Sequence, residues 1–159
     1  MELIIRNAME SDYESLCDLF EQADAFHRKY VPHIIQKHDG LSRDKDYVDN
    51  LIADGNVGLF VAQIGQRLVG LICCFIRETP AIPILVPRKY VYIDNLVVDE
   101  AHRHRGIGHA LLEKAHRWAL QNGIHEIELN VWQFNDAAIR LYEKLGYETV
   151  TLRMTKQIE

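Results

Sequence analysis

The feature that most constrains this chain is an apolar strand that runs into a basic, glycine-containing loop and then into a helix. The strand is Tyr92–Val98, and the loop carries Arg103, His104, Arg105, Gly106 and Gly108. Beyond it, apolar residues recur at helical spacing, at Ile107, Leu111, Ala115 and Trp118. The first amides of a helix have no partner inside it, and they lie at the positive end of the helix dipole. The pattern therefore predicts an anion site, suited to a phosphate or pyrophosphate.

The spacing of the two glycines excludes the two commonest nucleotide-binding loops. A Rossmann loop needs a third glycine three residues after Gly108, where Leu111 stands, and no Gly-Lys-Ser/Thr follows to make a Walker loop. Gly106 and Gly108 alternate with bulkier residues, so that the backbone can approach an anion without an intervening Cβ.

A second block follows the helix. Ile127–Val131 is predicted to be a strand, and a further helix begins near Asn135 and ends at Gly146-Tyr147. The motifs Arg103-x-x-Gly106-x-Gly108 and Asn135-x-x-Ala138-x-x-x-Tyr142-x-x-x-Gly146-Tyr147 resemble the two signature blocks of the GNAT superfamily of acyl-CoA-dependent N-acetyltransferases. Ile5-Arg6-Asn7-Ala8 with Asp12 resembles the opening strand and first helix of the same superfamily. The resemblance covers nearly the whole chain and is strongest from Ile93 to Tyr147.

The resemblance implies a single domain over residues 1–159 with an α/β (α+β) GNAT fold. Such a fold has a mixed central sheet of about six to seven strands, about four helices, and two splayed parallel strands that hold acetyl-CoA. The sequence pattern has a compatible order of elements. It predicts a strand at Leu3–Arg6, a helix begun by a capping box at Ser11–Glu14, an irregular segment at Phe26–Gly40, a second helix around Tyr47–Ile52, a hairpin of Gly58–Ile64 and Arg67–Phe75 turning at Gly65-Gln66, a loop at Thr79–Pro87, a strand at Tyr90–Val98, and one or two closing strands within Thr149–Ile158.

The same resemblance assigns residues to an acetyl-CoA site. Main-chain groups of Leu96, Val97 and Val98 would bind the pantetheine arm between the splayed strands. The pyrophosphate would be surrounded by Arg103, His104, Arg105, Gly106, Ile107, Gly108 and His109. Asn135 and Tyr142 would also contact the cofactor, and Tyr142 would donate a proton to the departing CoA thiolate.

Each of these residues also has a structural interpretation. Asn135 could simply cap the last helix, where asparagine is among the preferred residues. Tyr142 shares a helix face with Ala138 and Leu145 and could be a core tyrosine. Arg103 and Arg105 could be solvated surface charges. His102 and His104 imitate a metal-binding pair, but a basic anion loop is a poor cation site and no suitably spaced carboxylate or cysteine accompanies them, so no metal is predicted.

The general base is expected near the thioester. Strand alternation predicts that Tyr92, Asp94, Leu96 and Val98 share one face. Asp94 matches the spacing of a strand carboxylate in polyamine acetyltransferases, which it resembles. Glu128 and Glu126 on the neighbouring strand are the other candidates, and Asp94 could instead pair with a nearby cation or cap a backbone N–H.

Composition sets further bounds. The formal charge of −5 argues against nucleic-acid binding and mildly favours cationic substrates. Cys17, Cys73 and Cys74 have neither metal-site nor disulfide spacing and are predicted to be buried free thiols. No apolar run is long enough for a membrane helix, and Met1-Glu2-Leu3 leads straight into a strand rather than a signal peptide, which predicts a cytoplasmic protein without membrane contact.

The predicted function is transfer of an acetyl group from acetyl-CoA to a primary amine of a small molecule, by direct attack in a ternary complex. Two alternatives remain: acetylation of protein or peptide amines, and a non-catalytic acyl-CoA sensor. The strand position that carries Glu in ribosomal-protein acetyltransferases is Asn130 here, which weakens the protein-substrate alternative. Segments Phe26–Gly40 and Ile76–Tyr90 are expected to line the acceptor pocket, and the resemblance also allows a homodimer.

Overall fold

The computed structural model describes all residues from Met1 to Glu159 and contains four helices and five strands. Two single 3₁₀ turns, at Glu10–Asp12 and Glu100–His102, precede the first and third helices. The strands are β1 (Leu3–Asn7), β2 (Val57–Ile64), β3 (Arg67–Glu78), β4 (Lys89–Val98) and β5 (Ile127–Leu129), and the helices are α1 (Tyr13–Tyr30), α2 (Lys45–Ala53), α3 (Ile107–Gln121) and α4 (Asp136–Lys144).

The five strands form one mixed sheet in sequence order. Neighbours from β1 to β4 are antiparallel, and β4 and β5 are parallel. The predicted hairpin and its Gly65-Gln66 turn are confirmed, with Gly65 at the positive φ of 60° that a tight turn requires. This is the predicted α/β arrangement, with splayed parallel strands at one side of the sheet.

The sheet is covered on both faces, and each face has its own core. Leu16 and Phe20 of α1 and Val48 of α2 are buried against one face, together with Leu71 and Val97. On the other face, a row of α3 side chains packs on the sheet: Ile107, Leu111, Leu112, Ala115 and Ala119. Burying both faces accounts for the long apolar runs in β2 and β3. Cys73 and Cys74 lie on opposite faces and are buried free thiols, as is Cys17.

The start of α1 differs from the predicted capping box. Ser11 lies inside the 3₁₀ turn, and α1 begins at Tyr13 without a side-chain cap. The Asp12 carboxylate instead accepts hydrogen bonds from the Arg6 guanidinium at 2.8 and 2.9 Å and from the Met9 N–H at 2.8 Å. The Arg6 hydrogen bond holds the pKa of Asp12 below its ordinary value. The start of α1 is therefore held by the ion pair between Arg6 of β1 and Asp12, and not by the predicted capping box.

The end of α1 also differs from expectation. The prediction of an irregular segment from Phe26 is wrong as far as Tyr30, because the helix continues to that residue. The side chains of Phe26 and Tyr30 find ring partners outside the helix, which the local pattern could not show. Beyond Tyr30 the segment is irregular until α2, as predicted.

The predicted closing strands are absent. Residues 147–159 contain no strand, so the sheet has five strands instead of the expected six to seven. No residue after Tyr147 makes a backbone hydrogen bond within the chain. Valine, threonine and isoleucine give this segment β propensity, but a strand forms only where a neighbouring strand satisfies its backbone. No helix combines the length and apolar character needed to cross a bilayer.

Candidate active site

The parallel strands β4 and β5 separate partway along their length. Val91, Tyr92 and Ile93 pair with Ile127, Glu128 and Leu129, after which β5 ends and β4 continues to Val98. From Asp94 onward no strand pairs with that side of β4. Leu96, Val97 and Val98, the three residues expected to bind pantetheine, all lie in this one-sided stretch. The site therefore offers unpaired strand backbone beside a gap.

A β-bulge at Asp94 starts the one-sided stretch. Cys73 is opposite Asn95 and Cys74 is opposite Ile93, so Asp94 has no partner on β3. The bulge reverses the alternation. Before the bulge, Tyr92 faces the α1 and α2 core, because Phe75 opposite it packs there. After the bulge, Val97 faces that core, whereas Leu96 and Val98 pack against the α3 core. The prediction that Tyr92, Asp94, Leu96 and Val98 share a face is therefore wrong, because it assumed an unbroken strand.

The loop after β4 has the geometry expected of an anion site. Gly106 caps α3 with φ 76°, a left-handed conformation that glycine adopts without strain. The first helical bond runs from the Ala110 N–H to the Gly106 carbonyl, so the amides of Ile107, Gly108 and His109 have no partner in the helix. Arg103 to Gly106 are exposed around them. His104 has φ 62°, which is uncommon for a residue with a Cβ.

The charged side chains of the loop have different partners. Arg103 Nε donates a 3.3 Å hydrogen bond to the Val98 carbonyl, so this side chain folds back on the end of β4. Arg105 makes no ion pair within the chain and is exposed. His109 Nε2 lies 3.3 Å from Glu113 Oε1, one helical turn later. Arg105 therefore has its whole guanidinium available to a ligand, whereas Arg103 offers only its two Nη groups.

A buried network that the sequence did not reveal holds the loop against α1. Asp99 is 4% exposed; its carboxylate accepts a 2.8 Å hydrogen bond from Gln22 and lies 2.5 Å from His102 Nδ1. Gln22 also accepts a 3.1 Å bond from the Glu100 N–H. Burial alone would raise the pKa of Asp99, but the bonds from Gln22 and His102 and the charge of Arg67 lower it below its ordinary value. His102 is thus a partner of Asp99 in this network.

Helix α4 packs beside the start of α3. Asn135 Oδ1 accepts a 3.2 Å hydrogen bond from the Ala138 N–H, which establishes its capping role. A Cβ on Gly108 would lie 3.2 Å from Leu141 of α4 and 3.7 Å from Val98 of β4. The start of α3, the end of β4 and α4 therefore meet at Gly108.

Tyr142 follows Leu141 on α4 and packs against the α3 core. Its ring centroid is 5.5 Å from that of Tyr147. Burial, with a smaller effect from the Cys74 thiol, raises the pKa of Tyr142 to about 12. The Tyr147 hydroxyl lies 2.7 Å from His116 Nε2, whereas that of Tyr142 makes no hydrogen bond within the chain. Tyr142 therefore carries a phenolic proton at neutral pH without a protein partner for it.

The three candidate bases differ in their surroundings. Glu126 and Glu128 both accept hydrogen bonds from Arg88, at 2.7 and 2.8 Å. Asp94 is exposed, forms no ion pair, and accepts one 2.8 Å bond from the Asn95 amide. Burial raises the pKa of Tyr47 in α2, and the charges of Cys73 and Asp94 add smaller effects in the same direction. Asp94 is the candidate without a competing cation.

Aromatic rings from two distant segments meet at the end of α1. The rings of Tyr30 and Phe134 are stacked, with centroids 4.5 Å apart and an interplanar angle of 11°. Phe26 and Trp132 lie 6.0 and 5.7 Å from Phe134. Of these residues, only Phe26 and Tyr30 fell within the predicted acceptor segment. Phe134 and Trp132 belong to the β5–α4 loop, where the run Trp-Gln-Phe was the one available signal.

The comparisons with known proteins agree with this geometry. The model of the acetyltransferase (GNAT) family matches residues 13–147. An uncharacterised N-acetyltransferase of Methanocaldococcus jannaschii is 30% identical in an alignment of 159 positions that covers 97% of this chain and 66% of that protein. The chain thus spans less than two thirds of that relative's length.

Solved structures show the same fold. A Bacillus halodurans protein crystallised as a tetramutant is 26% identical, with a TM-score of 0.90 over 98% of this chain and 99% of its own. A complex of AAC(6′)-Iy with the bisubstrate analogue CoA-S-monomethyl-acetylneamine has a TM-score of 0.76 at 16% identity, covering 100% and 99% of the two chains. With a family model matched over most of its length, the chain belongs to the acetyltransferase (GNAT) family.

Proposed function

We propose that the chain transfers the acetyl group of acetyl-CoA to a primary amine of a small molecule, by direct attack within a ternary complex. The observation that carries the proposal is the combination at the end of β4. From Asp94 onward, β4 has no strand paired on its β5 side. The loop after this stretch ends at the free helix amides of Ile107, Gly108 and His109. Backbone of this kind suits an amide-containing pantetheine arm, and the helix N-terminus suits a pyrophosphate.

In the proposed reaction, the amine nitrogen attacks the thioester carbonyl carbon. A C–N bond forms, the C–S bond breaks, and the electron pair leaves with sulfur. Asp94 accepts, directly or through water, the proton that the substrate ammonium must lose before its nitrogen can attack, because an alkylamine with a pKa near 10.4 is mostly protonated at neutral pH. After the attack the nitrogen loses a second proton to water, which balances the proton that ends on the CoA sulfur. Tyr142 donates a hydrogen bond to the departing sulfur, and complete transfer would give the sulfur its proton. No covalent acyl-enzyme is needed.

The small-molecule acceptor is supported by the walls of the site and by a structural neighbour. The Tyr30–Phe134 contact joins α1 to the loop before α4 and places an aromatic surface there, against which a small amine acceptor could pack. The bisubstrate analogue bound to AAC(6′)-Iy joins CoA to an acetylated neamine. The carboxylate of Asp94, together with the chain's net charge of −5, suits a cationic acceptor. Nucleic acid and membrane have no part in the proposal, and three buried free cysteines suit the reducing cytoplasm.

The test is release of free CoA thiol from acetyl-CoA with a panel of amines comprising a polyamine, an aminoglycoside, an amino acid and a peptide with a free N-terminus. We expect turnover with at least one small amine and none without acceptor. Turnover with the peptide alone would support the protein-modifying alternative. Tight acetyl-CoA binding with no thiol release across the panel would support the non-catalytic sensor. Adding chelator checks the predicted lack of a metal requirement, and we expect unchanged rates.

A further inference from the structure

A cavity of about 410 Å³ lies between the second half of α3 and the strands β1 and β2. We call it the α3 cavity; its walls come from the end of β1, the end of α2, the start of β2 and α3. Its volume lies in the range of about 300 to 1,000 Å³ that is typical of small-molecule sites. No residue of β4, β5 or α4 lines it. The α3 cavity is therefore separate from the proposed acetyl-CoA site.

Two aromatic rings and one glycine shape the α3 cavity. The rings of Phe60 and Trp118 meet edge to face, with centroids 6.0 Å apart and an interplanar angle of 70°. Gly58 of β2 is buried beneath them. A Cβ at Gly58 would lie 2.8 Å from the Phe60 ring and 3.0 Å from Trp118, which is closer than a side chain can approach. The glycine therefore lets both rings lie close to the strand backbone, where they give the cavity a rigid apolar wall.

One cation and two amides complete the α3 cavity. Lys114 Nζ lies 5.0 Å from the centroid of the Phe60 ring and forms no ion pair within the chain. The side-chain amides of Asn7 and Gln121 are exposed at the rim. A carboxylate at this rim would gain a charge-assisted hydrogen bond from the ammonium group and has amide donors within the same lining. The cavity thus combines an aromatic wall with an unpaired positive charge.

We propose that the α3 cavity binds a small aromatic carboxylate, whose ring packs against Phe60 and Trp118 and whose carboxylate meets Lys114. A neutral apolar ligand would leave the ammonium group unpaired, an inorganic anion would leave the aromatic wall uncovered, and a cationic ligand would be repelled by Lys114. Trp118 lies ten residues after Gly108, which is about 15 Å along the helix. The carboxylate and acetyl-CoA therefore bind at the same time.

The first test is NMR titration of the isotope-labelled chain with naphthoate, which carries one carboxylate on a flat two-ring body. The chain has two tryptophans, so the indole N–H signal of Trp118 reports the α3 cavity and that of Trp132 reports the aromatic cluster around Phe134. We expect the Trp118 signal to shift saturably, with a dissociation constant of about 1 mM or below, while Trp132 stays unchanged. Naphthylmethylamine has the same rings with the opposite charge, and acetate has the same charge without rings. Each should bind at Trp118 about tenfold more weakly or worse.

The second test removes the positive charge. Lys114→Gln should weaken naphthoate binding by about tenfold or more, because the carboxylate loses a charge-assisted hydrogen bond. Arg117→Gln is the matched control on the same helix, since Arg117 is exposed and lies 3.8 Å from Glu113. It removes the same charge outside the cavity and should leave the affinity within about twofold. Neither side chain is buried, so both variants should keep the wild-type melting temperature. Saturating acetyl-CoA should leave the Trp118 titration unchanged.

Several outcomes would overturn the proposal. One is the absence of a saturable Trp118 shift with naphthoate. Another is equal affinity for naphthylmethylamine, and a third is a folded Lys114→Gln variant that binds naphthoate as tightly as the wild type. Displacement of naphthoate by acetyl-CoA would assign the ligand to the cofactor site instead. A shift of Trp132 without Trp118 would assign it to the aromatic cluster.

Discussion

At the scale of single residues, Tyr142 shows how burial changes the chemistry available to a proton donor. Its pKa of about 12 lies about 3.5 units above the reference value of about 8.5 for a thiol. Full proton transfer to a free thiolate is therefore uphill, and the hydroxyl acts best as a hydrogen-bond donor while negative charge builds on sulfur. The higher pKa also keeps the proton on Tyr142 throughout the neutral pH range.

Tyr142→Phe should lower kcat by a factor on the order of 10² to 10⁴ with little change in acetyl-CoA affinity, because the hydroxyl contributes mainly as the C–S bond breaks. Tyr147→Phe is the matched control, since that hydroxyl already faces His116, and it should keep kcat within a few-fold of the wild type. Wild-type activity should show no falling limb from Tyr142 below about pH 10.5, since the pKa is raised. A Tyr142→Phe variant with unchanged kcat under chemistry-limited conditions would make Tyr142 a core residue only.

Asp94 is tested by removing its charge while keeping its shape. Asp94→Asn should lower kcat/KM at neutral pH by on the order of 10²-fold or more, with recovery as the pH rises toward the pKa of the amine, where the nucleophile is neutral without help. Glu128→Gln is the control, because Glu128 is engaged by Arg88, and its pH profile should follow the wild type. An Asp94→Asn profile that overlays the wild type, with a depressed Glu128→Gln profile, would transfer the role of base to Glu128.

At the scale of secondary-structure elements, the anion loop depends on its attachment to α1. Gln22 donates to Asp99 and accepts from the Glu100 N–H, two bonds that join helix and loop. Gln22→Ala should cost about 1 to 2 kcal/mol of unfolding free energy and weaken acetyl-CoA binding several-fold, since the loop loses part of its preorganisation. Glu21→Ala removes only a surface ion pair with Arg28 and serves as control. Calorimetric titration and denaturant unfolding check both. Unaltered acetyl-CoA affinity in Gln22→Ala would show that the anion loop keeps its binding conformation without its bonds to α1.

The elements themselves were largely predictable, because local patterns determine them. Helical periodicity after Gly106 identified α3, and turn chemistry at Gly65 identified the β2–β3 hairpin. The bulge at Asp94 was not predictable from β4 alone, because it is a property of the register between β3 and β4. The Gln22–Asp99 bond, which joins residues far apart in sequence, was missed for a similar reason.

The aromatic cluster and the C-terminal tail, Glu148–Glu159, also depend on contacts that a local sequence pattern does not show. Tyr30 and Phe134 come together only once the chain is folded, so no local window contains both. Val150, Leu152 and Met154 alternate as in a strand, yet they form none. Such a pattern indicates that a neighbouring strand is needed, but it does not identify that strand.

At the scale of the whole molecule, we expect two half-buried histidines on opposite sides of the sheet to govern its stability in mild acid. His27 of α1 lies beside Phe26 and Phe134, and His116 of α3 contacts Tyr147. Burial lowers the pKa of both imidazoles below the ordinary value of about 6.5. The folded chain therefore binds fewer protons at these sites than the unfolded chain when the pH falls below about 6.5.

Because the unfolded state takes up the extra protons, the free energy of unfolding should be fully retained above about pH 6.5 and should decrease as the pH falls from there toward the folded-state pKa values of His27 and His116. Asp12 acts in a separate window, since its lowered pKa affects stability only as its carboxylate becomes protonated, at a much lower pH. Urea unfolding at pH 7.5, 6.5 and 5.5 should show the decline. The double variant His27→Gln/His116→Gln should flatten it, while His125→Gln, at an exposed position, should keep the wild-type slope. A double variant as acid-sensitive as the wild type would assign the decline to other groups.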